Sequence, residues 1–171
     1  MRVVAVLLVS IAAARLAAGP ASFAFTSEEG RFVALFPAKP DHSLRTLPGP
    51  RGPQQKHYFT TIDGSSGFVV SYTDYPEPVT LDQVTQTVLA GAAKDGVKVD
   101  STAKVSVGRE PALRLRLRAP DGTELATLLV VSGNRFFQVT VSVRGGALTD
   151  RHLVFLSSFA IRPAPVPRPG G

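Results

Sequence analysis

The sequence predicts an α+β domain, a single twisted antiparallel sheet of about six to eight strands with two helices packed on it. Three observations lead there. Most of the chain alternates apolar and polar residues at period 2, broken by Gly, Pro, Asn and Asp clusters that mark turns. One segment, at about 81–94, switches to helical spacing, with Leu81, Val84, Val88 and Ala92 on one stripe. A second, shorter stripe, Leu148, His152, Phe155 and Phe159, predicts a helix at about 148–157.

In chain order, FAFTSEEGRFVALFPAKP reads as an entry strand, a turn at Glu29-Gly30 and a strand at 31–36, with Phe32, Ala34 and Phe36 on one side. Pro37 and Pro40 end it, because proline has no N–H to give a ladder. A strand at 42–47 follows, and PGPRGP, at 48–53, reads as a loop. Runs at 57–62 and 68–75 flank a Gly/Ser turn and form a hairpin, stopped by Pro76 and Pro78. The helix opens on a capping box, Thr80 with Gln83, and closes with Lys94 in the last turn and Gly96 beyond it. A meander follows at 104–107, 112–118, 125–131 and 135–143, with turns at Asp121-Gly122 and Gly133-Asn134. The alternating prolines of IRPAPVPRPGG predict an extended, solvated tail over 163–171.

The chain of 171 residues suits one domain, and its 44% hydrophobic content is that of a globular protein. With no cysteine it has no disulfide, thiolate nucleophile or zinc–cysteine site. Residues 1–21 read as a secretory signal peptide: Arg2 opens a basic start, an apolar run covers 3–14, and Ala17, Ala18, Gly19 and Ala21 supply small residues for cleavage near Ala21. The run is too short to span a bilayer. Carrying it through Arg15 would cost about 2.5–3.5 kcal/mol at the membrane centre. The expected mature domain, 22–162, is thus exported, periplasmic or extracellular, monomeric, and not an integral membrane protein. Without Arg2 and Arg15, 17 basic residues stand against 13 acids. That mild, scattered charge lacks the dense basic face of a nucleic-acid binder.

ALRLRLRAPDGTELATLLVV places Arg114, Arg116 and Arg118 at alternate positions. A two-residue Asp121-Gly122 turn would pair Arg118 with Leu125, Arg116 with Thr127 and Arg114 with Leu129. It would gather Leu113, Leu115 and Leu117 with Phe137, Val139 and Val141 on one apolar side. A three-residue turn, 120–122, would pair Arg118 with Glu124 but set Arg114 and Arg116 beside Leu128 and Ala126. Isolated buried charge costs more than an exposed ion pair returns, so the first register is expected. The arginines then form a partly wet face, with stems on apolar neighbours and heads in water. They are also the candidate residues for holding a polyanion or an acidic partner.

Other chemistry is sparse. His42, His57 and His152 fall in separate elements, and His152, on an apolar stripe, reads as a satisfied core or boundary histidine. DGSSG is no nucleophile elbow, and no P-loop, dinucleotide fingerprint or H-E-x-x-H appears. Asp63, Asp74, Glu77 and Asp82 lack the EF-hand pattern. Tyr58, Tyr72 and Tyr75 read as packing aromatics. No catalytic residue, metal site or cofactor is expected.

EEGRFVALFPAKP, YTDYP, GNRFFQVTVS and FLSSFAI, in that order, resemble exported bacterial domains of the PsbP-like α/β/α sandwich superfamily, which shares its fold with a Ran-binding nuclear-import factor. The resemblance spans about residues 23–162. It implies a twisted antiparallel sheet with packed helices and a role in binding or in supporting an assembly, without catalysis. No residue here carries over photosystem or Ran binding. The expected function is therefore a non-enzymatic binding or scaffold domain for an unknown protein or envelope component. The alternatives are an envelope hydrolase using His57 or His152, and an anionic-surface or lipid binder using the arginine face.

Overall fold

The computed structural model describes residues 22–48 and 52–163. The expected signal peptide, all of the expected tail but Pro163, and the centre of the 48–53 loop lie outside them. In order the elements are β1 (Phe23–Ser27), β2 (Phe32–Phe36), β3 (Asp41–Leu47), β4 (Gln54–Asp63), β5 (Ser66–Asp74), α1 (Leu81–Lys94), β6 (Lys98–Val107), β7 (Glu110–Arg118), β8 (Glu124–Ser132), β9 (Arg135–Val143), α2 (Asp150–Ser158) and β10 (Ala160–Ile161).

The α+β, single-sheet expectation is overturned. Strands make up 54% of the described residues, and they form two antiparallel sheets rather than one. The larger runs β3-β4-β5-β9-β8-β7-β6, and the smaller runs β1-β2-β10. The cause is the strand at 32–36. Its hairpin with β1 never joins the main sheet, because β10 closes its other edge through Ala160↔Val33 and Ile161↔Phe32. Phe32, Ala34 and Phe36 are then free to face inward as the alternation predicts, onto the main sheet rather than within it.

Each face of the main sheet carries its own core. On one, α1 packs on β7 and β8, with Val84 buried among Leu115, Leu117, Leu129 and Phe136. On the other, α2 and the small sheet cover Val70, Tyr72, Ala126, Leu128, Val130, Phe137, Val139 and Val141. Phe32 is the keystone of this second core, its ring 5.2–6.3 Å from those of Phe25, Phe59, Phe137 and Phe159. The helix at 81–94 forms as the sequence predicts, with both arms of the Thr80–Gln83 capping box in place. No helix among the described residues is long and apolar enough to cross a membrane.

The register at the β7–β8 turn is the one the sequence argument rejects. Arg118 pairs with Glu124, Arg116 with Ala126 and Arg114 with Leu128. Ala119 and Thr123 close a three-residue loop in which Gly122 takes φ +81°, the left-handed conformation that a type I turn with a following bulge requires. The expected register assumes one apolar side to these strands, and β8 is apolar on both. Leu115 and Leu117 lie under α1, while Ala126, Leu128, Phe137 and Val139 lie under α2. With both faces of β8 buried, alternation cannot choose between registers.

Candidate functional site

Arg114, Arg116 and Arg118 share the α2 face of the sheet, yet all three are exposed. The main sheet is wider than α2, and β7 carries them past the covered strip. Arg118 makes two ion pairs, 3.1 Å to Glu124 on β8 and 3.4 Å to Asp100 on β6. It is therefore engaged within the fold. Arg114 borders a concave surface, a cleft of about 290 Å³ between β6 and α2. Val105, Leu128, Leu153 and Phe159 give that cleft an apolar floor, with Ser106, Ser157 and Arg114 supplying a polar share of the lining.

A second cleft, of about 260 Å³, adjoins the first through shared Val107 and Gly108. Three arginines of distant sequence surround it: Arg31 from the β1–β2 turn, Arg109 from the β6–β7 turn and Arg162 just after β10. Its apolar lining is Val107, Phe137 and Ile161. Arg162 pairs with Glu28, and Glu110 accepts a 2.9 Å hydrogen bond from Ser132 Oγ. Among the described residues, the guanidinium groups of Arg31 and Arg109 have no hydrogen-bond or ionic partner. Arg31 is also the only non-glycine residue there with positive φ, +53°. That conformation costs an L-residue about 1–2 kcal/mol, and such strain persists where the surroundings impose it.

Arg135, at the start of β9, holds the turn that carries Arg31. It is only 8% exposed. Nε and Nη2 grip Asp74 at 2.5 and 2.6 Å, and Nη1 donates to the Glu29 carbonyl at 2.8 Å. Hydrogen bonding to Asp74 raises its pKa, so the cation is permanent. Its plane lies 4.4 Å from the centre of Tyr72, whose other face stacks on His57 at 4.4 Å. His57 lies parallel to His42, and His42 to Phe59, so flat side chains run continuously across β3, β4, β5 and β9. His42 Nε2 and His57 Nδ1 share a 3.1 Å hydrogen bond, while His57 Nε2 is 4.0 Å from Glu29. Burial lowers the His57 pKa against the pull of Glu29. Burial pushes Tyr72 up to about 12, so its phenol stays neutral.

His152 is the satisfied core histidine the sequence suggests. The Thr149 N–H donates to Nδ1 at 3.0 Å, which places the ring proton on Nε2, and Nε2 lies 3.0 Å from Ser66 Oγ. The imidazole thus donates to the serine and has no lone pair for its proton. A general base needs the opposite tautomer. Both residues are buried, and burial lowers the His152 pKa. Neither ring nitrogen of His57 meets a hydroxyl among the described residues. Of the four acids the sequence singles out, Asp63 pairs with Arg151, Asp74 with Arg135, and Asp82 sits in the first turn of α1.

Sequence reasoning picks out Arg114 but misses Arg31, Arg109, Arg135 and Arg162. The available signal was slight: an arginine directly after a turn glycine in EEGR and VGRE, and one residue further on in SGNRF.

No protein-family model matches the chain, and no curated protein matches it. Among solved structures, PA94 of Pseudomonas aeruginosa, a protein of unknown function, is similar at TM-score 0.44 and 14% identity, over 72% of this chain and 83% of that one. A protein from Bacteroides thetaiotaomicron is similar at TM-score 0.46 and 16% identity, over 82% of this chain. This chain spans about half of that protein's length, 48%.

Proposed function

We propose that this is a non-enzymatic binding domain, exported by its N-terminal segment, that captures a small ligand in the clefts beside α2. The observation that carries the reading is the pair of adjoining hollows, about 260 and 290 Å³, with apolar floors and an arginine rim. Ligand sites are concave, mostly apolar, and furnished with a few polar groups that set orientation. The hydrolase alternative loses its best pair, since the Ser66–His152 bond has the wrong donor for nucleophile activation. The lipid-surface alternative loses Arg118 to its two ion pairs. The resemblance to PsbP-like domains, which bind rather than catalyse, supports the same reading.

The test is a nuclear magnetic resonance titration of the full chain with small neutral apolar probes, indole and hexanol. Saturable shifts are expected at Val105, Gly108, Leu153 and Ser157. Ser157→Trp, which places an indole in the α2 cleft from an exposed helix position, should weaken binding at least tenfold with the fold intact. Shifts scattered over the surface, or unchanged affinity in the tryptophan variant, would refute the capture reading.

A further inference from the structure

We propose that the arginine-lined cleft at the β1–β2 and β6–β7 turns binds a small organic monoanion, a carboxylate carrying a compact apolar body. The inference rests on the capture reading and assigns it a ligand class. Charge comes first. Of the three guanidinium groups of Arg31, Arg109 and Arg162, that of Arg162 is offset by its pair with Glu28, and Glu110 in the lining adds one carboxylate, leaving one net positive charge. One negative charge balances that, whereas a phosphate dianion would meet an excess of acid. The two guanidinium groups without partners among the described residues, on Arg31 and Arg109, come from different turns and carry planar donor forks, which match a carboxylate's two oxygens.

Shape comes second. Val107, Phe137 and Ile161 make the floor apolar, so an anion without a body would leave it wetted. At roughly 30 Å³ per water-sized group, 260 Å³ holds about nine heavy atoms, the size of a six- to seven-carbon acid.

Strain comes third. The residue at 31 must adopt φ +53°, a conformation that glycine takes freely. An arginine stands there instead, in a turn anchored by the Arg135–Glu29 hydrogen bond and by the backbone bond from Arg162 N–H to the Arg31 carbonyl. A residue that opposes the local backbone preference yet makes no ion pair among the described residues is placed for something outside the fold.

The experiment titrates the full chain with hexanoate and follows the amides of Gly108, Arg109, Ser132 and Ile161. Saturable binding is expected, with hexanamide, acetate and inorganic phosphate each at least tenfold weaker. Arg31→Gln and Arg109→Gln should each weaken hexanoate at least fivefold. Arg31→Gly should match that loss while keeping or raising the melting temperature, since it relieves the backbone as it removes the charge. Peptides ending in leucine, with free or amidated termini, decide the source. A free-acid peptide binding as tightly as hexanoate assigns the site to chain termini, and a much weaker one assigns it to free acids. Hexanamide or phosphate binding as tightly as hexanoate, unchanged affinity in both glutamine variants, or no saturation would overturn the proposal. If hexanoate fails while indole still saturates at Leu153 and Ser157, the ligand class falls and the capture reading stands. If both fail, both fall.

Discussion

The phenol of Tyr72 lies inside a stack of flat side chains and has no hydrogen-bond partner among the described residues. The residue is 1% exposed, so the hydroxyl lost bulk water on folding and meets no donor or acceptor among the described residues in exchange. A buried polar group left in that state costs about 1–3 kcal/mol. Tyr72→Phe keeps the ring between His57 and Arg135 and removes the cost. It should raise stability by about 1 kcal/mol in urea unfolding; a loss of 1 kcal/mol or more would mean the hydroxyl is bonded after all. Arg135 behaves oppositely. Its cation is buried and fully gripped, so Arg135→Met should cost about 2 kcal/mol or more by the same measurement, and an unchanged midpoint would deny the clamp on the Glu29 turn. Residues of this kind are hard to read from sequence. Arginine in GNRFF looks like the wet end of a strand, and only the approach of Asp74 and Glu29, 61 and 106 positions away, buries it.

At the scale of elements, what the sequence discloses depends on how many faces an element buries. The helix at 81–94 has one apolar stripe and a local capping box, and it forms with the expected bounds. The strand at 32–36 has one inward face, Phe32, Ala34 and Phe36, and that face is buried as the alternation says. β8 is apolar on both faces, so its register was decided by the turn, by Gly122 and the Ala119–Thr123 closure. β10 is two residues long and carries no period, which hid the second sheet. The candidate site was illegible for a related reason: Arg31, Arg109 and Arg162 meet only because two turns and the segment after β10 converge. The small sheet is held by aromatic contact rather than by strand pairing to the main one. Phe32→Ala should therefore cost about 3–5 kcal/mol and expose the small sheet to hydrogen exchange ahead of β8 and β9. Uniform exchange across all ten strands would show that the two sheets open as one unit.

For the whole molecule, buried His152 and part-buried His57 set how stability responds to acid. His57 and His152 both titrate below their ordinary value when folded, chiefly because burial disfavours the cation. The unfolded chain therefore binds more protons than the folded one as pH falls through about 6.5, and stability falls with it. Above that pH both imidazoles are neutral in either state and their contribution is complete. The loss accumulates down to the folded pKa of each ring. Two carboxylates act in a separate window. Hydrogen bonds from Thr123 and Leu148 hold Asp121 and Glu124 below their usual range, so their contribution is present above the unfolded carboxylate pKa and is lost only as pH falls below it. The melting temperature should accordingly be flat from pH 8 to 7, begin to fall as pH drops through about 6.5 on the histidines, and fall again below about 4.5 as the carboxylates protonate. The first step divides between opposite ends of the β4–β5 hairpin, since His57 stacks on Tyr72 while His152 bonds Ser66 at the β4–β5 turn. His152→Gln lowers stability overall but removes its own share of the step, and His57→Gln removes the other. A first step of full height in the double variant would mean that the proton is taken up elsewhere and that burial of these two rings does not govern the acid response.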